Sequence, residues 1–277
     1  MASHCNDQHH KIPVLWTENT SFFLFRGSLT EGKTHLRIHR IHTDEVLEPD
    51  TEIALQGTAA HYLLRVLRLV PGQAVVLFNG DGSDYASELI SAAKKDVLIR
   101  ILSRLPARAE SPLPITLVQA LSRGERMDQT LQKSTELGAA AFQPVNTERV
   151  EVRIKSERLE KRMEHWRNVV ISGCEQSGRA IVPPVSEPLE LADWLGRVSG
   201  ATRIILQPGA ETPLARIELK DRIELLIGPE GGFSDSELAL MRLNGVRAAS
   251  LGPRILRTET AGPAAIAILQ SRAGDFC

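Results

Sequence analysis

Three apolar runs in the last third of the chain, at 202–206 (TRIIL), 223–227 (IELLI) and 246–251 (VRAASL), each stop at a turn cluster rich in Pro and Gly. Runs of this length between such breakers read as buried strands. Between the second and third lies an amphipathic stretch. Ser234 followed by Glu237 makes a capping box, Leu238 and Met241 continue one apolar face, and Asn244-Gly245 is a stop signal, so a helix is expected over about 234–244. Strand, loop, helix, strand, loop places the loops at the carboxyl edge of a parallel sheet, where open α/β sheets bind their ligands. The glycines of GPEGG (228–232) let a flat ligand approach peptide groups closely. One such loop is more often a plain turn. Three converging on one rim suit a ligand read mainly through main-chain groups.

The pattern divides the rest of the chain. Residues 1–35 carry no sustained period and are expected to be disordered or foreign to the fold. Residues 36–106 alternate in short strand-like runs separated by tight turns, as in a small β-barrel. Within them His61, Arg65 and Arg68 recur at i, i+4 and i+7 of an expected short helix, whose Leu63, Leu64 and Leu67 can face the barrel. With Arg37 and Arg40 on the first strand, that cationic face is a candidate phosphate contact. Residues 107–114 read as a linker, and 115–277 as an α/β domain. There a helix is expected over 127–137 and a longer one over 156–174, whose seam Leu159, Met163, Trp166, Val170 and Gly173 packs on the sheet or on a second subunit. The polar cluster after it, including Arg179, can reach a site. The last helix, about 258–271, is rich in small residues and apolar nearly all round, hence buried; Pro263 then belongs in its first turn, with Thr258 or Thr260 as cap.

Composition narrows the class. A formal charge of −1 gives no overall field for nucleic acid or membranes, so local patches must carry any such role. No run reaches membrane-spanning length and no secretory signal opens the chain, so a soluble cytoplasmic protein is expected. The three cysteines, Cys5, Cys174 and Cys277, lack ligand spacing, and no metal site is indicated. Cys174 reads as a packed thiol.

The strings QKSTELG (132–138), CEQSGR (174–179), LIGPEGGFSDSEL (226–238) and LGPRILRTETA (251–261) resemble the RsmE family of 16S ribosomal RNA uridine N3-methyltransferases, of the SPOUT class. RVLRLVPGQ (65–73) is similar to that family's PUA-like RNA-binding barrel. The resemblance covers about 36–276; Gly262-Pro263 departs from the family's usual helical pair. It implies an α/β trefoil-knot domain with a parallel sheet behind a PUA-like barrel, a homodimer, and S-adenosylmethionine as methyl donor. The implied cofactor contacts are Leu206, Gln207, Pro208, Ile227, Gly228, Pro229, Glu230, Gly231, Gly232, Leu251, Gly252, Ile255, Leu256, Arg257, Thr258, Thr260 and Ala261. Arg257 and Arg123 are candidates for a cation that stabilises a deprotonated imide, and Glu230 and Glu259 for a base or orienting group. Arg37, Arg40, His61, Arg65, Arg68 and Arg179 are candidates for gripping 16S ribosomal RNA or the small subunit. A non-catalytic ribosomal RNA-binding factor, or a SPOUT enzyme acting elsewhere on RNA, is the alternative. A nucleotide-binding enzyme is disfavoured, because no GxxxxGK[ST] or GxGxxG string follows a strand.

Overall fold

The computed structural model describes residues 39–93, 96–106, 110–151 and 153–276. The expectations for 1–35 and for Arg37 lie outside them. The chain forms two compact units, one including Leu47–Leu77 and Tyr85–Arg104, the other including His42–Val46, Phe78–Asp84 and everything from Leu105 onward.

The first unit is built on a five-stranded sheet. Strands β1 (Arg40–His42), β2 (Glu52–Leu55), β3 (Ala74–Phe78), β4 (Asp84–Ala92) and β5 (Val97–Leu105) lie in the order β1-β3-β4-β5-β2, with β3 antiparallel to β4 and β2 antiparallel to β5. Alternation sets the inward face: Val97, Ile99 and Ile101 are fully buried while Leu98 and Arg100 between them are not. The expected cationic helix takes a different form. Helix α1 (Gly57–His61) runs into a π-helical turn at Tyr62–Val66, and Arg68 lies beyond it with φ +53°. The wider turn and the left-handed residue break the i, i+4, i+7 register, so His61, Arg65 and Arg68 are exposed without sharing one α-helical face. Leu63 is fully buried, and Leu64 and Leu67 pack on the same core as expected.

The second unit is a six-stranded parallel sheet covered on both faces. Strands β6 (Ile115–Ala120), β7 (Ala139–Asn146), β8 (Leu189–Glu190), β9 (Thr202–Leu206), β10 (Ile223–Ile227) and β11 (Arg247–Ala249) take the order β11-β9-β10-β6-β7-β8, and every neighbouring pair is parallel. Helices α2 (Arg126–Glu136), α3 (Leu159–Ser177) and α6 (Thr258–Ala273) pack over a core containing Leu117, Ile204, Leu225 and Leu269. Helices α4 (Leu191–Gly196) and α5 (Asp235–Leu243) cover the other face, where Val118, Ile205, Leu226 and Met241 meet. Adjacent strand residues thus enter opposite cores, which is why the strands read as continuous apolar runs.

Helix α3 lays Trp166, Val170 and Gly173 into this core. At Gly173 a Cβ would stand 3.0 Å from Thr135 Cγ2, so the glycine permits the close approach of α2. Cys174 is a fully buried thiol whose Sγ donates to the Ile181 carbonyl at 3.5 Å. Two expectations for α6 change. Arg257 is its N-cap and Thr258 its first residue, so Pro263 falls in the second turn. Ahead of it the first turn is complete, with Thr260 and Ala261 both donating to the Arg257 carbonyl, while the proline has no N–H to offer the Glu259 carbonyl. The stretch 189–196, too short to stand out as periodic, supplies β8 and α4.

Candidate active site

The apolar run of β9 ends at Leu206, that of β10 at Ile227, and β11 runs into 250–257; these three strands are neighbours in the sheet. Their loops enclose one hollow of about 540 Å³, within the range of small-molecule sites. Leu206, Gln207, Pro208, Ile227, Gly228, Pro229, Glu230, Gly232, Leu251, Gly252, Ile255, Leu256, Arg257, Thr258 and Ala261 line it, together with Arg126, Phe233, Leu238, Arg254 and Glu259. Of the residues implied as cofactor contacts, Gly231 and Thr260 do not. Gly231 turns toward a flanking loop, where its carbonyl accepts from Arg149 Nη1 at 3.2 Å, and Thr260 is exposed on the first turn of α6.

The loops are held from behind. Ser234 accepts from the Glu237 N–H and Glu237 accepts from the Ser234 N–H, fixing where the Gly-Pro loop becomes α5. Glu237 also accepts from the Glu148 N–H at 2.8 Å. Phe233 packs across the start of the loop: a Cβ on Gly228 would stand 2.8 Å from its Cε2, so only glycine fits there. Gly252 has φ +79°, a conformation side-chain-bearing residues rarely hold. On the far side Thr258 Oγ1 donates to the Gly228 carbonyl at 2.8 Å.

A second, polar recess opens beside the first and shares Arg126, Glu230, Arg257 and Glu259 with it; Arg123, Glu125, Gln129 and Glu151 complete its wall. All four candidate catalytic side chains therefore meet in one place. They differ in how firmly they are held. Arg123 and Arg257 are 74% and 79% exposed and reach Glu151 and Glu259 only at 4.0 Å. Arg126, which the sequence reading did not single out, contacts Glu230 directly and comes within 4.0 Å of Glu259. Its signal in the sequence was weak, a single cation in the polar turn SRGER (122–126). Burial pushes the Glu230 carboxyl up, but its own backbone N–H, the Arg126 guanidinium and the Arg123 backbone outweigh burial and hold it below the ordinary carboxylate value. The hydrogen bond that Arg126 donates to Glu230 in turn raises the pKa of the Arg126 guanidinium. Glu259 Oε2 is buried and accepts no hydrogen bond among the described residues.

Arg179 stands apart from both hollows. Its guanidinium donates to the Thr135 and Ala139 carbonyls at 2.9 and 2.8 Å and is paired with Glu110, leaving the side chain 11% exposed. The sequence placed it in a polar cluster, and its donors close the turn between α2 and β7. Among the described residues no group of three or more His, Cys, Asp or Glu is placed to hold a metal ion, and no helix is long and apolar enough to cross a membrane.

A fold with a backbone-walled hollow at its sheet edge and a charged recess beside it can be compared with known proteins. A family model described as the RNA methyltransferase domain matches residues 109–270, and one described as the RNA methyltransferase PUA domain matches 55–102. Ribosomal RNA small subunit methyltransferase E of Buchnera aphidicola is 36% identical over 242 residues, 87% of this chain and 98% of that protein. The crystal structure of ribosomal RNA small subunit methyltransferase E from Neisseria gonorrhoeae bound to S-adenosyl methionine is 40% identical, with a TM-score of 0.83 over 87% of this chain and all of that one. A methyltransferase from Legionella pneumophila in complex with the cofactor is 39% identical, with a TM-score of 0.81 over the same shares. This chain therefore belongs to the RNA methyltransferase family of ribosomal RNA small subunit methyltransferase E, with a PUA domain ahead of a SPOUT-type α/β domain.

Proposed function

We propose that this enzyme transfers the methyl group of S-adenosylmethionine to N3 of a uridine in 16S ribosomal RNA. The observation that carries the reading is the pairing of the two hollows, one apolar and walled by main chain, the other charged, with Arg126, Glu230, Arg257 and Glu259 at their common border. The apolar hollow fits the donor: Leu206, Ile227, Leu251 and Leu256 offer walls for a flat base, and the peptide groups of the three loops offer its hydrogen bonds. The donor supplies a methyl made electrophilic by a sulfonium, so the residues need only align a nucleophile with it and exclude water.

A uracil imide carries a proton on N3 and must lose it as the N–CH₃ bond forms. The recess has groups for both halves of that problem. Arg123 and Arg257, largely exposed, can meet the negative charge that spreads onto O2 and O4, and Arg126, paired with Glu230, lines the same recess as a held cation. Glu230 is ionised at neutral pH and committed to Arg126, which makes it an orienting group. Glu259, whose Oε2 accepts no hydrogen bond, is the carboxylate with capacity to take the imide proton. Because N3 is hidden in a base pair, the target is unpaired or flipped out, with Arg40, His61, Arg65 and Arg68 of the first unit holding RNA around it. The reading also carries the family's homodimer, its cytoplasmic location and a trefoil knot threading α6. The narrow side chains of α6, such as Gly262, Ala264 and Ala265, are compatible with such a threaded passage.

Incubation with small-subunit RNA or assembled subunits and methyl-labelled cofactor, followed by mapping of the label, tests this. Label at uridine N3 is expected; label at carbon 5 or a ribose 2′-hydroxyl would refute the assigned chemistry, and an absence of cofactor binding by calorimetry would refute methyl transfer altogether.

A further inference from the structure

Gln119 sits on β6 directly beside Ile227, the last residue of β10 before the Gly-Pro loop. It is fully buried. Its Nε2 donates both protons, one to the Ala120 carbonyl at 3.0 Å and one to Thr258 Oγ1 at 2.9 Å, and the threonine hydroxyl passes its own proton to the Gly228 carbonyl at 2.8 Å. The direction of this chain is fixed by chemistry. Ala120 and Gly228 offer carbonyls, which only accept, so the hydroxyl must donate onward and the amide must present its nitrogen. Gln119 Oε1 is thereby left buried with no hydrogen-bond partner among the described residues.

The neighbouring strand shows the same device without that penalty. Gln143 on β7 also donates to the carbonyl of the residue after it, at 2.8 Å, and to a loop carbonyl, Glu187, at 2.9 Å; its Oε1 is met by Arg197 at 3.5 Å. Gln119 keeps the bonding and forgoes the acceptor's partner. An apolar side chain of similar size would fill the position without an orphaned oxygen, so the amide is not there for packing. What its bonds accomplish is to tie three things at one point: a central strand, the first residue of α6, and the carbonyl at the mouth of the apolar hollow.

Resting on the cofactor reading above, we infer that Gln119 is a positioning residue for S-adenosylmethionine: acting through Thr258, it sets the orientation of the Gly228 peptide, and so of the loop that closes on the cofactor. It touches neither cofactor nor RNA. The function comes at a cost in stability, because the geometry that presents the loop correctly leaves a buried oxygen unsatisfied.

The opposed signs make the test specific. Calorimetric titration of the whole protein with S-adenosylmethionine is compared for wild type, Gln119→Leu, Thr258→Val, their double variant and Thr258→Ser, alongside thermal midpoints. Gln119→Leu is expected to weaken cofactor binding on the order of tenfold while its midpoint stays equal to or above that of wild type. Thr258→Val should weaken binding to a similar degree, the double variant no more than either single, and Thr258→Ser should restore affinity to within about threefold. In turnover the effect of Gln119→Leu should appear in the KM for the cofactor, with kcat at saturation changed by less than about threefold. Wild-type affinity in Gln119→Leu, or losses that multiply in the double variant, would overturn the inference. So would weakened binding that merely tracks a lowered midpoint. A wild type that binds no S-adenosylmethionine would instead overturn the cofactor reading on which the inference stands. Should Gln119→Leu fail to fold, Thr258→Val against Thr258→Ser decides the same question, since the two differ in the retained hydroxyl.

Discussion

The two hollows at the sheet edge are made of different material. One is walled by peptide groups and aliphatic side chains whose positions follow from the loops themselves, with Gly228 pressed on Phe233 and Gly252 in a left-handed conformation. The other is walled by charged side chains whose positions follow from one another, Arg126 on Glu230 and near Glu259. A backbone site is specified locally and resists change at few positions. A side-chain site is specified by pairing between distant segments, so losing one member disturbs the rest.

The contrast predicts that the largest effect comes from the charged recess. Arg126→Ala should lower kcat by roughly a hundredfold or more, because a fixed cation and the orientation of two carboxylates go together. Arg126→Lys should recover only part of it, since an ammonium cannot span both partners as a guanidinium does. Affinity for the cofactor should change little; if instead binding is lost and kcat at saturation is kept, the two hollows do not divide the work as described.

Gly252→Val should act in the opposite sense. A β-branched residue at φ +79° costs about 1–2 kcal/mol, and cofactor affinity should fall on the order of tenfold with kcat at saturation nearly unchanged. An affinity equal to wild type would show that this loop bends freely, and that its glycine is not what shapes the hollow.

Acid offers a finer separation. Glu230 has a folded pKa below its ordinary value of 4.5, so its ion pair contributes fully above that value and is lost as pH falls below it through the lowered one. Unfolding followed between about pH 5 and pH 2 should therefore show wild type losing stability more steeply than Glu230→Gln, which has no proton to take up there. Parallel curves would mean that Glu230 is not held by Arg126 in solution. The smallest effect is expected behind the apolar hollow: Ser234→Ala removes one half of the capping box and should cost about 1 kcal/mol, read as a midpoint lower by roughly 2–4 °C.

This division also explains what could be read in advance. Strands 202–206 and 223–227 were legible because both faces are buried and each run ends at a breaker. Their loops were legible because Gly and Pro mark unusual backbone wherever they stand. Arg126 was not, since its meaning lies in Glu230 and Glu259, 104 and 133 residues away, and nothing local sets it apart from Arg123. Arg179 shows the same dependence in reverse: its partners Glu110, Thr135 and Ala139 lie 40 or more residues away in sequence and leave no local mark. The helix at 61–68 was misjudged through its period, because a π-turn and a left-handed Arg68 leave no trace in the spacing of leucines that still reach the core.

The order β11-β9-β10 differs from the order in which those strands leave the ribosome. β11 is the last of them to be made, yet it takes the outer place beside β9, and α6 must then seat before Thr258 can reach Gly228. A chain truncated ahead of α6 keeps the residues of all six strands but lacks Thr258, Glu259 and Ala261 of the pocket wall. Ligand affinity is then a report on whether α6 is seated, and ligand at a hundred times its Kd would stabilise that state by about 2.7 kcal/mol.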